Sequence, residues 1–170
     1  ATFFQVGTLI EDNPDMARRV YDEGHLIANH SYAHSYKELY ADTESFMNEM
    51  DKTEELITEI CGEEQFKLVR FPGGSFNAGS YGAIKQECKQ ALADAGYYFA
   101  DWNALNGDAE GKRRNSQQLY EYFVSNAKFS KNLIVLMHDA PAKKQTPGSL
   151  ELIIPKLIEE GYTFKRLDEI

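Results

Sequence analysis

No stretch of this chain approaches the roughly 20 consecutive apolar residues that a membrane-spanning helix needs, so nothing in the sequence reads as a span. Positive charge is scarce: 18 Lys and Arg stand against 27 Asp and Glu, for a net charge of −9. Nucleic acid is bound by clustered Lys and Arg, so this balance argues against a nucleic-acid partner. A neutral polymer such as a polysaccharide is compatible with it. Cysteine is limited to Cys61 and Cys88. That pair reads as buried free thiols, with a single disulfide as the alternative, and it does not fix a redox compartment. Internal repeats, low-complexity tracts and linkers are lacking as well. Residues 1–170 therefore read as one domain, long enough for a substantial core.

Histidine is scarce too, with four in the chain, and its placement is the informative feature. Three lie within Gly24-His25-Leu26-Ile27-Ala28-Asn29-His30-Ser31-Tyr32-Ala33-His34. The fourth, His138, closes the apolar run Leu133-Ile134-Val135-Leu136-Met137. Histidine is a common metal ligand and the usual acid–base group near neutral pH.

Along the chain, β-rich runs alternate with helical patterns. Strands are expected at Thr2 to Val6, Leu26 to Ala28, Lys67 to Phe71, Tyr97 to Trp102, Leu133 to Met137 and Tyr162 to Leu167, with the run at Leu133 covered on both faces. Asn13-Pro14 offers an N-cap and a first-turn proline for a helix up to Gly24. Further helices are expected at Thr43 to Ile60, Ser80 to Ala95, Gln117 to Ala127 and Pro147 to Gly161. The stripe of the long one is Phe46, Met47, Met50, Leu56 and Ile57. This alternation implies an α/β layer or barrel on parallel strands. His30, His34, Arg70, Trp102 and His138 all fall at or just past strand C-termini, the edge where such folds assemble sites.

His30 and His34 are four apart, so a helical turn would set both imidazoles on one side as ligands to a divalent ion. The bland reading is that they cap or pack a loop. His138 is either a core histidine or a general acid, the latter needing a carboxylate to hold its tautomer. Asp101 and Asp108 are both candidates. In Arg70-Phe71-Pro72-Gly73-Gly74-Ser75, Arg70 could orient a carboxylate and the glycine amides could face an oxyanion; a surface arginine beside an ordinary turn is the alternative.

These segments resemble the polysaccharide deacetylases, the NodB-homology domain of carbohydrate esterase family 4, in order and over essentially the whole chain. Gly24 to His34 matches the G-H-x-x-x-N-H-[ST]-x-x-H signature. Arg70 to Ser75 matches the arginine motif. Asp101-Trp102-Asn103 with Gly107-Asp108-Ala109 resembles the tryptophan and aspartate motif, and Leu136-Met137-His138 the L-x-H motif. The resemblance implies an α/β fold, a distorted incomplete (β/α) barrel. It also implies metal-dependent removal of N-acetyl groups from a sugar polymer such as peptidoglycan or a chitin-like chain. His30 and His34 would hold the metal, zinc ahead of cobalt, nickel or manganese. His138 would be the acid, Arg70 would steer the catalytic base, and Asp108, with Asp101 second, would orient His138. Leu136 would line the acetyl pocket, and Gly73 and Trp102 would meet substrate. His25 would be structural.

Two departures stand out. Gly73 and Ala109 replace aromatic residues common among relatives, and the family's opening T-F-D-D-G motif has no counterpart here. The chain is therefore expected to lack the first strand and the aspartates it carries, to be weak in metal binding and activity alone, and to present a strand edge open to self-association. An extracellular or cell-surface bacterial location follows from the likeness. Two rivals are a catalytically dead glycan-binding relative and a hydrolase of small amides.

Overall fold

The structure, a computed structural model, describes residues 1–76 and 79–170. Where the sequence offers no linker, packing resolves two compact units, Ala1–Asp101 with Lys165–Ile170, and Trp102–Phe164.

The first unit is built on a parallel sheet of β1 (Thr2–Gln5), β2 (Leu26–Asn29), β3 (Leu68–Val69) and β4 (Tyr98–Phe99), in that order. Phe3 lies beside Ile27, Asn29 beside Val69, and Leu68 beside Tyr98. Every residue of β2 is buried, as expected for a parallel strand covered on both faces. The chain from β1 to β2 holds α1 (Gly7–Asp12) and α2 (Pro14–Asp22). The proline starts α2 as its spacing predicts. Asn13 does not cap it, however: its side-chain amide turns back and donates to the Leu9 carbonyl at 3.2 Å, closing the unforeseen α1.

After β2 comes the short α3 (Tyr36–Leu39), and then α4 (Thr43–Cys61) carries the core. Asp42 caps α4 by accepting the Ser45 amide at 2.7 Å, and Gly62, left-handed at φ 79°, ends it. Its inward face is Phe46, Met50, Thr53, Ile57 and Cys61, with Met47 and Leu56 at the margins. Phe46 and Met50 pack with Leu39, Tyr40, Val69, Phe71 and residues of α5 (Gly82–Asp94). Ile57 and Cys61 pack with Ile10, Ala17 and Ile27. Cys61 and Cys88 are free, buried and in separate clusters, which rules out the disulfide alternative. Burial pushes both thiols up to about 11.

The second unit pairs β5 (Ala104–Leu105) with β6 (Val135–Leu136) in parallel, flanked by α6 (Ser116–Asn126) and α7 (Thr146–Glu159). Asn115 and Gln118 close a capping box on α6. Ala104, Phe123, Ala127, Ile153 and Leu157 form its core. Two expectations fail here. The Leu133–Met137 run is half-buried rather than covered on both faces. At its start a side chain joins the backbone pairing: Asn103 accepts the Ile134 amide at 2.8 Å and donates to the Asn132 carbonyl at 3.0 Å, beside the Asn103 and Ala104 amides on the Ile134 carbonyl. The closing strand at Tyr162 to Leu167 does not form. The Tyr162 amide bonds back to Leu157, the Leu167 amide donates to the Thr2 hydroxyl, and Leu167–Glu169 winds into a 3₁₀ turn.

Candidate active site

The histidine loop is not the helical turn that an i, i+4 spacing suggests. Residues 30–35 are irregular, and Ser31 and His34 adopt left-handed backbone at φ 68° and 54°. Non-glycine residues in that region cost energy, and side chains hold them there. The fully buried Asn29 accepts the Ser31 amide at 3.1 Å, and the Ser31 hydroxyl accepts the His34 amide at 3.1 Å. Glu49, reaching from α4, takes the Tyr32 and Ala33 amides on one carboxylate oxygen, each at 3.1 Å. Asn29 in turn donates to the Met50 carbonyl at 2.8 Å, tying the loop to the core face of α4. These amides are satisfied by side chains rather than by carbonyls one turn back, which is why the loop can depart from a helix.

The outcome is two imidazoles with ring centres 4.9 Å apart. Rings bound through nitrogen at about 2.1 Å to one tetrahedral ion would have centres roughly 5 Å apart, so the pair has the spacing of two ligands to a single ion. His30 Nδ1 lies 2.8 Å from the Arg70 carbonyl. A carbonyl only accepts, so Nδ1 donates this bond, the arrangement that a metal held on Nε2 would need. Among the described residues no group of three His, Cys, Asp or Glu side chains gathers to hold a metal, so the pair alone fits as part of a ligand set. His25 packs instead against Phe3, with ring centres 5.3 Å apart.

Arg70, at the end of β3, is buried; its guanidinium lies 4.0 Å from the Phe4 ring centre and donates to the Ala100 carbonyl at 3.3 Å. Burial pulls it down to about 10, against the opposing pull of Asp101, so it stays charged at neutral pH. The turn after it is pinned from within. The buried Lys85 of α5 donates to the Gly74 carbonyl at 2.7 Å and the Pro72 carbonyl at 3.4 Å, and the Tyr40 hydroxyl donates to Pro72 at 2.8 Å. Asp101 accepts both the amide of Ser75, at 2.9 Å, and its hydroxyl. Replacing Lys85 with methionine keeps the volume but strips the Gly74 carbonyl of its donor. A loss of about 1–3 kcal/mol is expected, read as a lower urea midpoint at unchanged m-value.

In the second unit, Asp108 and His138 form a dyad. Asp108 Oδ1 accepts His138 Nδ1 at 2.8 Å, while Oδ2 accepts the His138 amide at 2.8 Å and the Thr146 hydroxyl at 2.9 Å. The Asp108 side chain is 5% exposed and that of His138 38%. Burial pushes the aspartate up, but the bonds from His138 and Thr146 outweigh it and hold its carboxyl below the usual range. Lys143 adds a bond to the Asp108 carbonyl at 2.7 Å. This dyad can hold a proton on a half-exposed imidazole whose other nitrogen faces outward from the carboxylate. Leu136 sits on β6 opposite Leu105. Trp102 borders a recess of about 290 Å³ with Asn103, Leu105, Tyr122 and Asn126.

Of the two carboxylates proposed for His138, then, the structure puts Asp108 on the ring, while Asp101 is spent on Ser75 and belongs with Arg70 and Gly73. Asn29, Glu49, Lys85 and Thr146 were missed. Asn29 had a signal, standing inside the motif just before His30. Glu49, Lys85 and Thr146 had none, because each reaches its partner across 16, 11 or 38 positions.

A family model described as polysaccharide deacetylase matches residues 1–100. A peptidoglycan-N-acetylglucosamine deacetylase of Bacillus cereus is 29% identical over 173 residues, covering 99% of this chain and 60% of that protein. The catalytic domain of peptidoglycan N-acetylglucosamine deacetylase from Eubacterium rectale superposes with a TM-score of 0.88 at 29% identity, over 98% of this chain and 76% of that one. A Streptococcus mutans CE4 esterase gives 0.86 at 30% identity, over 98% and 73%. The chain spans about 60% of the length of the curated relatives it matches. The α/β architecture with parallel strands is that of the incomplete (β/α) barrels of this group. With the signature histidines, the arginine turn and the aspartate–histidine dyad all in place, this chain belongs to the polysaccharide deacetylase family.

Proposed function

We propose that this chain is the hydrolytic part of an enzyme that removes N-acetyl groups from a bacterial wall polysaccharide, with N-acetylglucosamine units of peptidoglycan as first substrate. The observation that carries the reading is the Asp108–His138 dyad, a buried anion bonded at 2.8 Å to a half-exposed imidazole. Amide hydrolysis needs a proton on the departing nitrogen, and His138 would donate it from Nε2 while Asp108 keeps Nδ1 protonated. His30 and His34 would contribute to holding a divalent ion, zinc first. That ion would supply Lewis acidity and lower the pKa of water. Arg70 would steer the groups around the histidine loop through charge that its burial leaves weakly screened. Leu136 and Trp102 would meet the acetyl group and the sugar. The relatives' names, peptidoglycan deacetylases of Bacillus cereus and Bacillus subtilis, support a place of action at the cell wall.

The test is release of acetate from N-acetylglucosamine oligomers and from peptidoglycan by a protein in which the T-F-D-D-G segment of the family is joined ahead of this chain. Acetate that rises with added zinc and falls with a chelator is expected. Binding of the oligomer without any acetate would leave a glycan-binding relative in its place. Turnover of N-acetylglucosamine monomer alone would favour a small-amide hydrolase.

A further inference from the structure

Resting on the reading of His30 and His34 as metal ligands, we propose that Tyr36 is a positioning residue for His34 and that Gly73 is the residue that makes room for it. The two imidazoles are held by different means. His30 is locked by the 2.8 Å bond from Nδ1 to the Arg70 carbonyl. Among the described residues the His34 ring has no protein hydrogen-bond partner; its neighbours are the rings of His30 and Tyr36. Tyr36 meets it edge to face, with centres 5.6 Å apart and planes at 83°, a preferred geometry for aromatic pairs.

Tyr36 is itself wedged. Its ring packs on Tyr40 at 5.9 Å and Tyr81 at 6.2 Å. Its hydroxyl end closes over the arginine turn at Gly73. A Cβ there would lie 2.7 Å from the Tyr36 hydroxyl oxygen, closer than real contacts come, and 3.0 Å from Cε1, tighter than most. Gly73 also has φ +76°, which favours glycine on its own account. The small residue at 73 and the large one at 36 are thus one fit. It joins the His34 loop to the turn that follows Arg70, and it gives His34 by packing what His30 receives from a carbonyl. Ligand orientation by such outer partners is commonly worth 10- to 100-fold in metal affinity.

The experiment is zinc affinity by chelator competition, with the visible spectrum of the cobalt-substituted protein as a second readout. Tyr36→Ala is expected to weaken zinc about tenfold and shift the cobalt bands. Tyr36→Phe, which keeps the ring, should remain within about twofold of the parent. Gly73→Ala drives the ring off its seat and should weaken zinc several-fold, with Tyr36 still present. Zinc affinity unchanged in a folded Tyr36→Ala overturns the proposal; if that variant does not fold, unchanged affinity in Gly73→Ala does so. His34→Ala separates the two levels. If it leaves zinc binding intact, the ligand reading itself fails; if it abolishes binding while Tyr36→Ala changes nothing, only the positioning role falls.

Discussion

In a protein that carries the family's T-F-D-D-G segment ahead of this chain, asparagine in place of Asp108 is expected to lower kcat for acetate release by about 10²–10⁴-fold, with little change in KM. The substitution is nearly isosteric, so the His138 amide and the Thr146 hydroxyl keep an acceptor. What is lost is the negative charge 2.8 Å from His138 Nδ1 that accepts its hydrogen and fixes its tautomer. The asparagine can also turn its NH₂ toward Nδ1 and impose the other tautomer. His138→Ala should fall by a similar factor, and the double variant by little more than either alone, because the two side chains act as a unit.

Stability supplies an independent readout. The Asp108 carboxyl is held below the usual range in the fold, so its contribution is fully present above the unfolded value of about 3.9 and disappears as pH falls through the folded one. Asp108→Asn should therefore be less stable than the parent at pH 7 by about 1–3 kcal/mol, with the gap narrowing below pH 4. Urea titrations at pH 7 and pH 3 measure it. Full kcat in both Asp108→Asn and His138→Ala would remove the acid assignment.

The sequence disclosed chemistry better than shape. α4 was legible almost to its ends, because an aspartate cap, a 3.6-residue stripe and a terminating glycine all act within a few positions of one another. Short strands were over-read: within Lys67 to Phe71 only Leu68–Val69 is strand, and within Tyr97 to Trp102 only Tyr98–Phe99. An apolar run marks burial, but ladder length depends on a neighbour that local sequence does not name. The same reason explains Tyr162 to Leu167, which has strand composition but pairs with no strand among the described residues. At the site, motif residues were found because their spacing is local. The groups that aim them were hidden, because Glu49, Lys85 and Thr146 lie on helices whose patterns report only an amphipathic face. His30 and His34 show the mixture well: their proximity follows from their spacing, but by a strained loop and not by the helix that spacing suggested.

That strained loop carries the other large effect. Glu49→Ala is expected to weaken zinc binding toward a hundredfold and to cost about 1–3 kcal/mol of stability. One carboxylate oxygen holds the amides of Tyr32 and Ala33, the two residues between left-handed Ser31 and left-handed His34. Without it, those amides can bond water in other conformations, and the left-handed pair, costing about 1–2 kcal/mol for each residue, loses what offsets it. The rest of the loop remains attached: Tyr32 still donates to Glu11 at 2.6 Å, and Lys52 still lies over its ring. The expected change is thus a local spread of His34 orientations, with the core of α4 intact. Glu49→Gln keeps one neutral acceptor and should fall between parent and alanine in both measurements. Chelator competition and thermal melts of the three proteins separate the possibilities. A lower Tm in Glu49→Ala with parental zinc affinity would make Glu49 a scaffold residue only, and would detach the geometry of this loop from metal binding altogether.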